Sequence, residues 1–167
     1  MNTLKRILSL SVFSLVILFV VVTVVSLMIP STVIVSRAVN ISAPQKKIFS
    51  EVNNFNSWKH WMGGLNDSSL KIHSFNEAII GTTNVTLHLS DSNKVHTVWQ
   101  NEHHQMMESD INLIANSSVS GLTVVQWQFV QKLKWYPWKK LGSLLNEKIL
   151  GSMMEKNLNR LKEICEQ

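Results

Sequence analysis

Residues 122–164 read LTVVQWQFVQKLKWYPWKKLGSLLNEKILGSMMEKNLNRLKEI, and the hydrophobic period changes inside that stretch. Up to Val130 the period is two. Val125, Trp127 and Phe129 take one side of an extended chain, and Gln126 and Gln128 take the other. From Leu141 the period is 3.6: Leu144, Leu145, Ile149, Leu150, Met153, Met154, Leu158, Leu161 and Ile164 recur as one stripe of a long helix. A strand apolar on one side and a helix apolar on one stripe each need a surface to bury against. The stretch predicts a sheet with one covered face and a long closing helix lying across it.

The chain upstream supplies the rest of that sheet. Residues 105–114 place Met107, Ile111 and Leu113 on one face and Glu108, Asp110 and Asn112 on the other. Residues 94–101 read as a strand carrying Trp99, and residues 82–89 alternate with Val85, Leu87 and Leu89 together. Residues 69–75 alternate less cleanly, through Leu70, Ile72 and Phe75. Consecutive segments of period two joined by polar turns such as Asp91-Ser92-Asn93 indicate an antiparallel sheet. Before them, residues 33–41 are β-branched and read as a first strand. Ser42-Ala43-Pro44 then opens a helix over residues 45–55, with Ile48, Phe49, Val52 and Phe55 at helical spacing. Asn56-Ser57 is expected to cap a second short helix, Trp58 to Met62, that Gly63-Gly64 stops. The order is strand, two short helices, about five further strands and a long helix: an α+β domain over residues 33–167.

Residues 7–29, ILSLSVFSLVILFVVVTVVSLMI, contain no charge, glycine or proline. At about 1.5 Å per residue the run spans roughly 34 Å, enough for a hydrocarbon core of about 30 Å. A cleaved signal peptide is the rival reading. The run is longer than such a segment needs, and it ends Leu27-Met28-Ile29-Pro30 with no small-x-small site. The expectation is an uncleaved single-pass transmembrane helix over residues 7–29, preceded by residues 1–6 and joined to the domain by residues 30–32. Lys5 and Arg6 precede it, and the first basic residue after it is Arg37. The positive-inside rule then puts the N-terminus in the cytoplasm and the domain outside, in the periplasm if the cell is Gram-negative.

The chain carries a net charge of +5 over 167 residues, with 45% apolar and 16% charged side chains. Past the apolar run the excess is small, which argues against nucleic acid as a partner. The single cysteine, Cys165, excludes an internal disulfide.

The local sequences resemble those of the SRPBCC superfamily, the START-like or birch-pollen-allergen helix-grip fold, in its bacterial polyketide cyclase/dehydrase-like branch. Residues 35–61, VSRAVNISAPQKKIFSEVNNFNSWKHW, are similar to that family's opening strand and two helices. Residues 124–138, VVQWQFVQKLKWYPW, resemble its last strand and following loop, and residues 153–162, MMEKNLNRLK, its closing helix. The middle departs: residues 76–90 keep only Gly81 of a glycine-rich stretch that many relatives carry. The resemblance implies a curved sheet of about six strands wrapped around the C-terminal helix. No cofactor is expected. Members include lipid carriers, hormone binders, aromatic cyclases and ring hydroxylases, so fold by itself leaves function open.

Against that background, Val85, Leu87, Trp99, Met107, Ile111, Val125, Trp127 and Phe129 on the sheet, with Met153, Met154 and Leu158 on the facing helix, are the candidate lining of an apolar cavity. Trp58 and Trp61, three apart on one helix face, are candidates for its mouth. The same residues would equally make a filled core, with Trp58 and Trp61 anchoring the short helix to the sheet. Residues 132–140, KLKWYPWKK, combine lysines with large aromatics, so Lys134, Trp135, Tyr136, Trp138, Lys139 and Lys140 are the candidate membrane-contact loop. A strand-to-helix connection turned by Pro137 is the plain alternative. Six histidines show no metal-ligand spacing, and His103-His104, on a strand, would face opposite ways. Glycine at 151, inside the helix, costs about 1 kcal/mol relative to alanine, which hints at close packing or a bend. No nucleophile elbow, phosphate loop or Cys–His pair is present. The expectation is a membrane-anchored domain that binds a lipid or other hydrophobic small molecule. The alternatives are a cyclase/dehydrase-like enzyme, or a structural or protein-interaction domain with a filled core.

Overall fold

The computed structural model describes residues 2–28, 30–63, 70–116, 121–133 and 137–167. Helix α1 runs Asn2–Met28. It starts earlier than the apolar run, so Lys5 and Arg6 lie within its first turns. Over Lys5–Met28 it is long and apolar enough to cross a membrane, and an apolar stretch of 18 residues within it is not buried by the rest of the chain. Only its end touches the domain. Val22 and Thr23 are half-buried, Ser26 is buried, and these last turns pack against the C-terminal helix.

The domain begins with strand β1, Thr32–Ile41, followed by helices α2, Gln45–Val52, and α3, Phe55–Trp61. Strands β2 (Leu70–Ser74), β3 (Glu77–Ile80), β4 (Thr83–Asp91), β5 (Lys94–Gln100), β6 (Met106–Ala115) and β7 (Thr123–Lys132) follow, and helix α4, Pro137–Cys165, closes the chain. The seven strands form one sheet in the order β1-β7-β6-β5-β4-β3-β2, with every described pair antiparallel.

Four details differ from the sequence expectations, each for a local reason. The sheet has seven strands rather than about six, because Glu77–Ile80 pairs on both sides without clean alternation in its sequence. Phe75, expected on a strand, sits at the tip of the β2–β3 hairpin and is 69% exposed. Helix α3 starts at Phe55, since Asn54, not Asn56-Ser57, is its cap: the Asn54 side chain accepts from the Asn56 amide at 2.9 Å. His103-His104 lies in a turn, not a strand. Asn101 Oδ1 there accepts from the amides of His103 at 3.0 Å and Gln105 at 2.9 Å, and His104 takes φ 55°.

The register fixes which end of the domain lies nearest α1. Thr32 pairs with Lys132, and the Leu133 amide donates to the Ser31 carbonyl at 2.7 Å. The end of β7 and the start of α4 are therefore at the same end as the entry from α1, the near end below. Helix α4 runs from there to the far end, where the Ser42 amide donates to Glu166 at 2.8 Å.

Candidate functional site

Period-two chemistry sets the inward face of the sheet. Its rows can be followed across the pairing: Val33, Gln131, Met107, Trp99 and Val85 form the row nearest α1. Next comes Val35, Phe129, Ser109, Thr97 and Leu87, then Arg37, Trp127, Ile111 and Val95. Toward the far end lie Val39, Val125 and Leu113. Helices α3 and α4 cover this face.

All thirteen predicted cavity residues belong to this single layer between sheet and helices. Ten of them, Trp58, Trp61, Val85, Trp99, Ile111, Val125, Trp127, Phe129, Met154 and Leu158, are buried. Their rings pack on one another. Trp58 meets Phe55 at 4.8 Å between centroids, Trp61 at 5.6 Å and Trp99, stacked, at 6.1 Å. Trp61 meets Trp127 edge-on at 5.7 Å, and Phe129 lies 5.3 Å from both Trp99 and Trp127. A side chain with no surface open to a water-sized sphere borders neither solvent nor a cavity of that size. Trp61, Trp127, Val125 and Met154 have none. The gap among Val52, Asn53, Phe55, Trp58 and Leu87 holds no room for a water molecule.

Every indole N–H in this cluster has a partner, as buried tryptophans require. Trp58 Nε1 donates to the Val52 carbonyl at 2.9 Å, and Trp61 Nε1 to the Glu51 carbonyl at 3.2 Å. Trp99 Nε1 donates to Thr97 Oγ1 at 3.0 Å, and Trp127 Nε1 to Ser109 Oγ at 2.8 Å. Thr97 and Ser109 are inward-facing and buried. Sequence reading passed over both, although the alternation of β5 and β6 places them beside the tryptophans they serve. Truncating one of these rings would cost about 3–5 kcal/mol, comparable with the whole stability of a small domain. These rings pack helix α3 onto the sheet as part of the core.

The other three predicted residues, Leu87, Met107 and Met153, are half-buried. They are not alone. Val33 and Gln131, in the row nearest α1, and Leu150, one turn before Met154, are also half-buried, and Ile149 is 70% exposed. Partial exposure is thus not confined to one end: in the near row Trp99 and Val85 are buried, and at the far end Ile41 and Leu161 are fully buried while Val39 and Ile164 are half-buried. Val33, Gln131 and Leu150 were not among the sequence candidates. The alternation of β1 and β7 would have placed the first two.

Of the predicted membrane-contact loop, Lys134, Trp135 and Tyr136 lie outside the described residues. Trp138, Lys139 and Lys140 are not loop: they belong to the first turn of α4, which Pro137 opens because its missing N–H and fixed φ suit a helix start.

Charged groups sit mostly elsewhere. On the outer face His96 Nδ1 lies 2.6 Å and Lys94 Nζ 3.1 Å from Asp110 Oδ1, and the His88 ring lies 6.3 Å from His96. Burial alone would raise the Asp110 carboxyl; the hydrogen bonds and charges of His96 and Lys94 outweigh it and hold the group below its ordinary value. Among the described residues no group of three His, Cys, Asp or Glu side chains is placed to hold a metal. A depression of about 590 Å³ at the far end of the outer face is lined by Gln45, Asn93, Lys94 and Gln126 among others. These polar groups are already paired: Gln45 donates to Ser92 and Asn93, Gln126 to Ser36, and Lys94 meets Asp110.

No protein-family model matches the sequence, and no curated protein matches it. Solved structures do. A START superfamily protein from Mycobacterium smegmatis superposes with a TM-score of 0.60 at 17% identity, over 80% of this chain and 97% of that one. The protein XoxI from Bacillus cereus gives 0.60 at 12% identity, over 79% and 94%. The di-domain aromatase/cyclase BexL gives 0.59 at 12% identity, over 82% of this chain and 51% of that longer one. At such identities the likeness is one of fold. The chain has the helix-grip fold shared by START-like and aromatase/cyclase domains.

Proposed function

We propose that this protein is a membrane-anchored helix-grip domain that takes up a lipid or similar apolar molecule at the near end of the layer between the sheet and α4. The observation that carries this reading is the set of half-buried apolar side chains in the half of the layer toward α1, Val33, Leu87, Met107, Leu150 and Met153. An apolar chain placed there would remove these side chains from water, at about 25 cal/mol per Å² covered. Methionines at two of the positions suit ligands of variable shape. α1, read as the anchor, puts that end close to a bilayer, and the excess of Lys5 and Arg6 before it favours a cytoplasmic N-terminus with the domain on the other side. Binding is favoured over catalysis because, among the described strand residues of the inward face, none is His, Asp or Glu.

The test uses the full chain in lipid nanodiscs containing a phospholipid with a photoreactive acyl chain, with cross-links mapped by mass spectrometry. Cross-links at Met107, Leu87 or Met153 are the expected result. Cross-links confined to α1, which any bilayer-spanning helix would collect, overturn the reading. That second outcome would favour a filled-core interaction domain, for which the closed aromatic cluster of Trp58, Trp61, Trp99 and Trp127 already speaks.

A further inference from the structure

We propose that Ile34, Met106 and Lys132 form a rim by which the outer face of the sheet rests on the headgroup layer of an anionic membrane. The proposal rests on the reading of α1 as a membrane anchor and is independent of any ligand. Val33 and Val35 face inward, so Ile34 faces out, and it is 56% exposed. Met107 faces inward and pairs with Gln131; one step nearer α1, Met106 and Lys132 therefore point outward side by side. Met106 is 60% exposed and Lys132 is exposed. Lys132 in turn pairs with Thr32, two residues before Ile34. Two large apolar side chains and a lysine thus share one face at one end of the sheet.

That end is tied to α1. Thr32 follows Met28 by four residues, so covalent reach keeps the two within about 14 Å. The last turns of α1 also pack on α4, which further limits how far the domain can swing away. Exposed apolar side chains at a sheet end in water have no partner, whereas a headgroup layer offers one to apolar tips and lysine together. The charge balance agrees. Glu102 in the β5–β6 turn and Glu108 on β6 are nearby acids, against Lys132 at the end of β7, a lysine at 134 in the following segment, and Lys139 and Lys140 in the first turn of α4. A lysine near an anionic surface contributes attraction that a zwitterionic one does not.

The experiment places an environment-sensitive fluorophore on single cysteines in the full chain, reconstituted in phosphatidylcholine vesicles with or without phosphatidylglycerol. The sites are Ile34→Cys and Met106→Cys on the rim, Ser42→Cys at the far end and Val16→Cys in α1, in a Cys165→Ala background. If that background does not fold, native Cys165 stays, since its thiol is buried. Quencher lipids are shallow or deep. Expected is deep quenching at position 16, shallow quenching at 34 and 106 that strengthens with phosphatidylglycerol, and none at 42. Lys132→Glu should remove the phosphatidylglycerol-dependent part. Quenching at 16 with 34 and 106 as unquenched as 42 overturns the rim alone. No quenching at 16 overturns the anchor and the rim together. Rim quenching indifferent to phosphatidylglycerol and to Lys132→Glu overturns the anionic assignment.

Discussion

The guanidinium of Arg37 occupies the space that a side chain at Gly151 would need. A Cβ built at position 151 would fall 2.9 Å from Arg37 Cζ, closer than real side chains approach. The glycine lets an arginine on the inward face of β1 cross α4 and pair with Glu155, Nε to Oε1 2.6 Å. Its helix-propensity cost of about 1 kcal/mol thus accompanies a docking contact between the edge strand and the closing helix.

This contact gives a double-mutant prediction. In an Arg37→Ala background, Gly151→Ala should raise stability by about 1 kcal/mol, the full propensity gain. With Arg37 present the gain should be smaller, because the guanidinium must shift and its pairing with Glu155 weakens. Both partners are partly exposed, so the ion pair itself contributes little. Urea unfolding of the four proteins in detergent micelles measures the coupling; equal effects of Gly151→Ala in both backgrounds would refute it.

Ser109→Ala should cost about 1–3 kcal/mol, because it leaves the buried Trp127 N–H without an acceptor. Trp127→Phe in the Ser109→Ala background should cost less than in the wild type, since no donor then remains to be orphaned. Thermal unfolding reports both, and simple additivity would argue that the hydrogen bond carries no weight.

Asp110 makes stability fall on the acid side. Its folded-state carboxyl is held below the ordinary value of 3.8, so its contribution is present above that value and is lost as pH drops through the folded one. Asp110→Asn should lower stability at neutral pH and flatten the acid limb of the stability profile. A variant curve parallel to the wild type at every pH would contradict this.

Cys165 should be a slow thiol. Burial, then the nearby charge of Glu51, pushes it up to about 11 from an ordinary value of 9.0. The thiolate is the reactive form, so at mildly alkaline pH native protein should react with a disulfide reagent on the order of 100-fold more slowly than unfolded protein. The native state also holds the proton longer than the unfolded state does. The titration of this thiol therefore leaves stability unchanged below pH 9 and lowers it between 9 and about 11. Equal reaction rates for native and unfolded chain would show that the thiol is not shielded.

The long apolar helix, the strands of clean alternation and the closing amphipathic helix were legible because each is a local pattern. Hydrophobic period is written in neighbouring residues and needs no partner to be read. The short strand Glu77–Ile80 was not, because it exists by pairing on both sides rather than by alternation. His103-His104 likewise became a turn through the side chain of Asn101. The start of α4 at Pro137 was available in the sequence, but the change of period marks the helix only once its stripe begins at Leu141.

The sequence by itself determined an apolar span, an α+β order and the set of side chains that face the layer between sheet and helix, since alternation decides sides. Only the tertiary structure decided which of those side chains close on one another and which keep free surface. Ring-on-ring packing among Trp58, Trp61, Trp99, Trp127 and Phe129 depends on how three separate segments, α3, β5 and β7, are set against one another, and no single segment contains it. The same holds for Gly151. Its cost is visible in one helix, while its reason, the Arg37 guanidinium, arrives from a strand more than a hundred residues away.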